Sequence, residues 1–171
     1  MMDDQVLQQG RPLLAKPNLF NVVLIEPEIP QNTGNVGRTC VGTRSNLHIV
    51  GQTGFKITDR NLKRAGLDYW QHLWWTQHES VEKWQESVPD PKRVFYFSTK
   101  AEKTLYDVDF KVGDWLAFGK ETKGLDPELL RRNPGQAVLI PQLGPVRSLN
   151  VATAVAIALY EAIRQNRLGI L

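Results

Sequence analysis

The chain has 171 residues, of which 42% are hydrophobic and 23% charged, so it suits one globular domain with a short extension. The single cysteine excludes a disulfide framework, and the three scattered histidines lack the spacing of a zinc site. The sequence has no long apolar run and no signal-peptide core, which favours a cytoplasmic protein without a membrane helix. The net charge of +3, from 21 basic and 18 acidic residues, permits a polyanionic partner without requiring one.

The predicted elements alternate between apolar strands and helices. Residues 1–18 have no clean period and predict a flexible N-terminal extension before a domain at 19–171. In chain order we predict strand 20–26, helix 33–43, strand 47–50, helix 59–65, strand 73–76, helix 80–87, strands 93–99 and 115–119, a helix from 126, strand 137–140 and helix 150–167. This order predicts an α/β fold with a parallel sheet flanked by helices.

Three helix starts carry local signals. Pro27 and Pro30 argue against a helix directly after the first strand, so Thr33 is expected as the cap of the first helix. Ser80 is the expected cap of a later helix, and Asp126, followed by proline and glutamate, is another strong start.

The last helix is apolar on nearly every side and has many alanines, which predicts that it is buried.

The two commonest nucleotide-binding motifs are absent from the sequence. No GxGxxG fingerprint occurs, and Gly119-Lys120 is followed by Glu121 where a P-loop has serine or threonine. Three irregular segments remain, each directly after an apolar run, at 26–38, 118–125 and 140–150. Ligands of open α/β sheets bind at the carboxyl ends of strands, so these loops are where a binding pocket is expected.

Several side chains in these segments are candidates for function, and each has a plainer alternative. Arg38 is either a surface arginine or a fork for a phosphate. Asn32 either caps a helix or binds a ligand, and capping is the simpler interpretation. Glu121 is either a solvated acid or a brace that accepts hydrogen bonds from backbone N–H groups. Tyr160 on the last helix reads most simply as a core tyrosine.

Basic residues recur on one short predicted helix, at Arg60, Lys63 and Arg64, and then at Arg131, Arg132, Arg164 and Arg167. Arg147 in the third loop is a further candidate contact with RNA. Such residues are usually solvated, but they also suit contacts with a phosphate backbone. The five tryptophans supply stacking surfaces in the same sense.

Taken together, the three loops resemble the motifs of a known enzyme family. The segments EPEIPQNTGNVGRTC, FGKETKGL and IPQLGPVRSLNVATAVAIALYEA resemble the three motifs of SPOUT RNA methyltransferases. The segment LKRAGLDYW at 62–70 is similar to that of the TrmL group, the tRNA wobble-nucleotide 2′-O-methyltransferases. The likeness runs in the same order from about residue 19 to residue 166.

The resemblance implies a SPOUT fold with a C-terminal trefoil knot, and S-adenosylmethionine as cofactor. It also implies a homodimer with its site near the subunit boundary, and the anticodon loop of tRNA as substrate, without a metal. The cofactor contacts that it implies are Phe97, Gly119, Ile140, Ser148, Leu149 and Asn150, with Glu121 beside them.

The catalytic positions that the resemblance implies are Arg38, Asn32 and Tyr160, with Arg147 in the third motif. The family proposals make the arginine a proton acceptor, but a guanidinium stays protonated in proteins, so orientation of phosphate and hydroxyl suits it better. The chain departs from the family pattern at Lys120, where proline is common, and at Arg44, where a glycine usually ends the helix.

Two alternatives stay open at this point. The first is a 2′-O-methyltransferase for ribosomal RNA or another tRNA position, and the second is a noncatalytic RNA-binding protein on the same fold. The tRNA species and the choice between cytidine and uridine are not readable from the sequence.

Overall fold

The computed structural model describes residues 18–57 and 69–168. The predicted extension therefore lies outside the described residues except for Asn18, and so does the predicted helix 59–65 with its basic residues. The elements in chain order are β1 (Asn21–Ile25), α1 (Pro30–Gly42), β2 (Asn46–Val50), β3 (Trp75–His78), α2 (Val81–Glu86), β4 (Val94–Phe97), β5 (Trp115–Phe118), α3 (Pro127–Arg132), β6 (Ala137–Val138) and α4 (Val151–Gln165).

The six strands form one sheet in the order β3-β2-β1-β5-β4-β6, and every neighbouring pair is parallel. The α/β class predicted from the apolar runs is confirmed. Because all strands point the same way, the loops that follow β1, β4, β5 and β6 emerge at one edge of the sheet. This edge is where the predicted binding loops meet.

Helices cover both faces of the sheet. Along β1, Val22 and Leu24 point to one face and Val23 and Ile25 to the other, as the period of a strand requires. The first face packs against α1 and α4, and the second against α2 and α3. Strands buried on both faces explain the unbroken apolar runs in the sequence.

The first helix begins earlier than predicted. It starts at Pro30, and Thr33 is a fully buried residue within it rather than its cap. The error was to treat proline as a barrier, because proline at the first helical position lacks only an N–H that has no intrahelical partner anyway. At the other end of the helix, Arg44 takes φ +52. A non-glycine residue in this left-handed region costs about 1 kcal/mol, which a glycine would avoid.

The other boundaries agree more closely. Ser80 caps α2 by accepting a hydrogen bond from the Lys83 N–H, and Asp126 caps α3. The third strand lies two residues later than predicted, because a 3₁₀ turn at Trp70–His72 precedes it. Regular pairing of β6 stops at Val138, since the Leu139 N–H is donated to the Lys103 carbonyl instead.

The last helix is buried on one side only. Val155, Ala158, Leu159 and Ala162 lie in the core, whereas Thr153 and Tyr160 are exposed. The predicted all-round burial, and the interpretation of Tyr160 as a core residue, are therefore wrong within one chain. Within the described ranges 18–57 and 69–168, no helix has the length and apolar character to cross a membrane.

Two buried histidines pair across neighbouring strands. His48 Nδ1 on β2 lies 3.0 Å from His78 Nε2 on β3, and His48 Nε2 lies 3.3 Å from Asn21 Oδ1. The His48 ring also packs against Trp115, with ring centroids 4.5 Å apart. Burial, and then the neighbouring His78, lowers the pKa of His48 from 6.5 to about 3, and burial also lowers the pKa of His78.

We expect this pair to make the protein acid-sensitive. Between pH 6.5 and about 3 the unfolded chain binds a proton at His48 that the folded chain does not. The free energy of unfolding should therefore fall as the pH drops through this range, by up to about 1 kcal/mol per pH unit from this residue. Urea unfolding at several pH values gives this dependence for wild type, for His48→Gln and for a His72→Gln control outside the pair. If the free energy of unfolding of His48→Gln fell with pH as steeply as that of wild type, His48 would not be the cause of the acid sensitivity.

Candidate functional site

The loops at the carboxyl edge of the sheet enclose a cavity of about 420 Å³. Its wall is built from the start of α1, the loops after β4, β5 and β6, and the first turn of α4. Nine of the residues predicted for function lie in this wall: Asn32, Phe97, Gly119, Glu121, Ile140, Arg147, Ser148, Leu149 and Asn150. The structure thus brings together residues that are more than a hundred positions apart in the sequence.

The Glu121 carboxylate holds the first loop against the second. Its Oε2 accepts the Glu28 N–H at 2.9 Å, and its Oε1 accepts the Ile29 N–H at 3.1 Å and Asn32 Nδ2 at 3.2 Å. Ile29 is the N-cap residue of α1 and its side chain makes no capping bond. Glu121 therefore supplies, from another loop, the negative charge and the acceptors that a helix N-terminus favours.

The same two loops are joined a second time in the opposite direction. The Glu28 carboxylate accepts the Thr122 N–H at 3.0 Å and the Thr122 hydroxyl at 3.0 Å. Both hydrogen bonds lower the pKa of Glu28, and the one from the backbone N–H of Thr122 is the larger cause. We call this reciprocal pair of carboxylate contacts, Glu121 on residues 28–32 and Glu28 on Thr122, the loop clasp.

Lys120 adds an ion pair beside the loop clasp. Its Nζ lies 2.6 Å from Glu26 Oε2, and this hydrogen bond is the main cause that raises the pKa of Lys120. Both side chains are about a third exposed or more, so the pair itself adds little stability. It does explain how the chain accommodates a lysine where the resembled family commonly has proline.

Two asparagines connect the loop clasp to the last helix. Asn150 Nδ2 donates to Asn32 Oδ1 at 2.9 Å, and Asn150 Oδ1 accepts the Ala152 N–H at 2.9 Å as the cap of α4. Asn32 is the third residue of α1, whose N-cap is Ile29, so the capping role considered for it is wrong and its buried amide is a bridge instead. The chain of hydrogen bonds thus runs from the second loop, through α1, to the third loop and α4.

Gly119 is required by a close approach of two backbone segments. A Cβ added there would lie 2.1 Å from the Gly124 carbonyl carbon and 2.3 Å from the Leu125 nitrogen. The loop closes tightly because the Gly124 N–H is donated to the Lys120 carbonyl at 2.8 Å, and Gly124 takes φ +68. The glycine therefore shapes the loop itself, beyond leaving room for a ligand.

Aromatic and aliphatic side chains form the floor of the cavity. The Phe97 and Phe118 rings stack at the ends of β4 and β5, with centroids 4.7 Å apart and planes inclined by 11°. Leu139 and Ile140 lie in the same wall. An apolar floor beneath backbone groups suits a planar ring with a polar edge.

Arg38 and Tyr160 lie outside the wall of this chain's cavity. Arg38 is exposed on α1, with its guanidinium carbon 4.7 Å from the centroid of the Tyr69 ring. The Tyr69 hydroxyl in turn donates to the Gly34 carbonyl. Tyr160 is exposed on α4. Arg60, Lys63 and Arg64 fall in the part of the chain that the structure does not describe.

Sequence reasoning missed one loop of the wall. Residues 98–100, directly after β4, line the cavity together with Phe97, although only Phe97 was predicted. The rule that ligands lie at the carboxyl ends of strands applied equally to β4 and would have found them. Among the residues that the structure describes, no group of three or more His, Cys, Asp or Glu side chains could hold a metal ion.

The close approach at Gly119 gives a direct test. Gly119→Ala should lower the free energy of unfolding by about 2–3 kcal/mol, because the new methyl group cannot fit without separating residues 119 and 124. Gly144→Ala is the matched control, since an added Cβ there meets nothing within 4 Å. Chemical unfolding of both variants measures the difference. Equal stability of the two would show that the second loop is not packed as described.

Comparison with known proteins gives consistent matches. The profile of the SpoU rRNA Methylase family matches residues 19–160. The tRNA (cytidine(34)-2′-O)-methyltransferase of Burkholderia pseudomallei (strain 1106a) is 44% identical over 149 residues, which cover 86% of this chain and 96% of that relative.

Solved structures give the same picture. One of them gives structural insights into the 2-OH methylation of C/U34 on tRNA. It superposes on this chain with a TM-score of 0.83 at 47% sequence identity, and the match covers 89% of this chain and 99% of the other chain. The SpoU methyltransferase AviRb from Streptomyces viridochromogenes, in complex with the cofactor AdoMet, superposes with a TM-score of 0.76 at 25% sequence identity. The match covers 92% of this chain and 61% of the AviRb chain.

Proposed function

Because this chain belongs to the SpoU rRNA methylase family, we propose that it methylates the ribose 2′-hydroxyl of the wobble nucleotide, position 34, of tRNA. The methyl donor is S-adenosylmethionine. The observation that carries the proposal is the near full-length match to relatives named for this reaction, in a chain whose three loops enclose one cavity. This enzyme is a transferase that uses tRNA and a cofactor, without a metal.

The wall of the cavity fits such a cofactor. The stacked phenylalanine floor suits an adenine ring, and Gly119 brings backbone groups to the wall without a side chain. Ile140, Ser148 and Leu149 also line the cavity. S-adenosylmethionine supplies a methyl group on a sulfonium, which is already a good leaving group, so the protein needs chiefly to align the reacting atoms.

When bound, S-adenosylmethionine would supply its methyl group to the 2′-oxygen, and the 2′-hydroxyl would lose its proton to solvent or to a nearby base. This chain's residues then have two tasks, which are to orient the RNA and to hold the loops of the site in register. Arg38 keeps its charge and orients the phosphate and the hydroxyl, rather than accepting that proton. Asn32 and Asn150 hold the first and third loops in register through their amide contact.

A homodimer completes the site in this proposal. Arg38 and Tyr160 lie outside the wall of their own chain's cavity, and Tyr160, Leu143 and Val146 are exposed apolar groups. The solvent side of α4 includes two small residues, the exposed Thr153 and the half-buried Ala156, where a second helix could approach closely. A second copy that covers this side would bring Arg38 and Tyr160 toward the partner's cavity, next to the anticodon loop with its unpaired bases.

We also infer the domain limits and location that go with this function. Residues 19–171 form the methyltransferase domain, with a C-terminal trefoil knot, and residues 1–18 are an N-terminal extension. The family match beginning at residue 19 supports the boundary. The backbone hydrogen bonds of Leu139 with Lys103 and Leu105, which tie the residue before the third loop to the segment after β4, support the knot. The enzyme acts in the cytoplasm, where tRNA is modified.

The reaction is tested by methyl transfer to tRNA. Labelled S-adenosylmethionine and tRNA from cells lacking the protein should give a 2′-O-methylated pyrimidine at position 34, identified by nucleoside mass spectrometry. An anticodon stem-loop with a 2′-deoxyribose at position 34 is the control and should accept no label. Transfer to ribosomal RNA alone, or the absence of transfer and of cofactor binding, would contradict the proposal.

Arg38→Ala should lose at least about a hundredfold in methyl transfer, because correct alignment is worth this much or more. Folding and cofactor binding should stay near wild type, since the side chain is exposed and outside the wall of the cavity. Arg38→Lys keeps the charge but not the fork, and it separates charge from orientation. Near wild-type transfer by Arg38→Ala would remove this residue from the mechanism.

Mixing two impaired variants tests the dimer, provided that S-adenosylmethionine is kept low enough for Glu121→Gln, which binds it more weakly, to be nearly inactive on its own. If Arg38 acts on the partner's cavity, Arg38→Ala co-refolded with Glu121→Gln restores about a quarter of the wild-type rate, because half of the dimers are mixed and each has one intact site. If both residues act within one chain, the mixture stays inactive and the shared site is wrong.

A further inference from the structure

Three cations from three different loops line the mouth of the cavity. They are Lys100 after β4, Lys123 after β5 and Arg147 after β6. All three side chains are exposed, and over the described ranges none of them forms an ion pair. We call these three residues the cation rim.

The acids in and beside the wall do not cancel the charge of the cation rim, although the Glu28 carboxylate just outside the wall attracts Lys123. Within the part of the chain that the structure covers, Glu121 is the only acid in the wall, and both of its oxygens accept N–H groups of the loop clasp. The fourth cation, Lys120, is already paired with Glu26. The wall therefore carries a net positive charge.

A positive wall is a poor match for the cofactor alone. S-adenosylmethionine carries a sulfonium, an ammonium and a carboxylate, which sum to one positive charge, whereas the product S-adenosylhomocysteine is neutral overall. Like charges within a Debye length repel, so the cation rim opposes the substrate form of the cofactor more than the product form. The positive charge of the cation rim would instead favour the binding of an anion at the mouth of the cavity.

We propose that the cation rim binds the RNA phosphates next to the target ribose and thereby couples RNA binding to the charge of the cofactor. This inference rests on the proposed function and assigns Lys100 and Lys123 a role in it. With phosphates on the rim, the repulsion of the sulfonium is cancelled and an attraction takes its place. By linkage, a cationic cofactor in turn strengthens the binding of RNA.

The coupling ends with the reaction. Transfer of the methyl group turns the sulfonium into a neutral thioether, the hydroxyl becomes an ether, and its proton leaves. The charge that favoured the RNA phosphates is then gone from the cavity, so the rim binds the methylated RNA beside a neutral ligand. Substrate complexes are held more tightly than product complexes by the same three side chains.

The test compares two nonreactive ligands that differ at the reacting centre. Sinefungin carries an amine in place of the sulfonium and has a net positive charge, whereas S-adenosylhomocysteine is neutral there. Calorimetry at about 10 mM salt, where the Debye length is about 30 Å, gives the affinity of each ligand for wild type and for Lys100→Gln/Lys123→Gln. Lys92→Gln, which removes an exposed cation at the opposite edge of the sheet, is the matched control.

The variant should shift the two affinities differently. Without RNA, the affinity ratio of sinefungin to S-adenosylhomocysteine should rise about two- to threefold for each charge removed, because a repulsion is relieved. Both ligands carry the same amino-acid carboxylate, so its attraction to the lysines cancels in the ratio. An anticodon stem-loop should raise sinefungin affinity in wild type and less in the variant, and the salt slope of RNA binding should fall by about 0.7 per lost contact.

The outcomes separate this inference from the proposed function. An unchanged ligand ratio in the double variant would overturn the coupling, even if RNA binding were weaker. An unchanged salt slope would overturn phosphate binding by the two lysines. If neither ligand bound wild type at all, the proposed function itself would fail. A changed ratio in Lys92→Gln as well would show a general charge effect and overturn the assignment to the rim.

Discussion

The Glu121 carboxylate is the interaction on which the candidate site depends. It is part of the second loop, yet its partners are two backbone N–H groups and an amide at the start of α1. Hydrogen bonds to a charged acceptor contribute more than neutral ones, and leaving these N–H groups without an acceptor would carry a further cost. One side chain therefore caps a helix, fixes the position of Asn32 and closes one wall of the cavity. Asn32 passes the constraint on to Asn150 and α4.

The parallel sheet explains why a few hydrogen bonds between loops are enough to form the wall of the cavity. Its strands deliver the ends of β1, β4, β5 and β6 to one edge, and the loops there need only short bonds to form a closed wall. The tight turn between Gly119 and Gly124 keeps Glu121 within reach of α1. The buried polar groups are used for position, whereas the cations at the mouth of the cavity stay in water. This division suits a protein that holds a small cofactor firmly and a polyanion at its surface.

Much of the fold was predictable, because buried parallel strands appear as apolar runs and two helices carry strong caps at Ser80 and Asp126. The predicted members of the site also lay in recognisable loops. The partners of Glu121 could not be predicted, because they are about ninety residues away and are chosen by the order of strands in the sheet. The start of α1 was missed because Pro30 was treated as a barrier to the helix, and because the groups that cap this helix belong to another loop. The exposure of Tyr160 was missed because the residues of α4 around it are apolar, and an apolar sequence alone does not tell which face of a helix meets the core.

The most direct measurement is the affinity for S-adenosylmethionine of Glu121→Gln by calorimetry, beside Glu102→Gln as an exposed acid in a neighbouring loop. Glutamine keeps the size of the side chain, but its NH₂ group meets a backbone N–H that needs an acceptor. The account predicts cofactor binding by wild type and by Glu102→Gln, and at least about tenfold weaker binding by Glu121→Gln, a change of about 1.4 kcal/mol. Wild-type affinity in a folded Glu121→Gln protein would contradict the claim that this carboxylate builds the cofactor site.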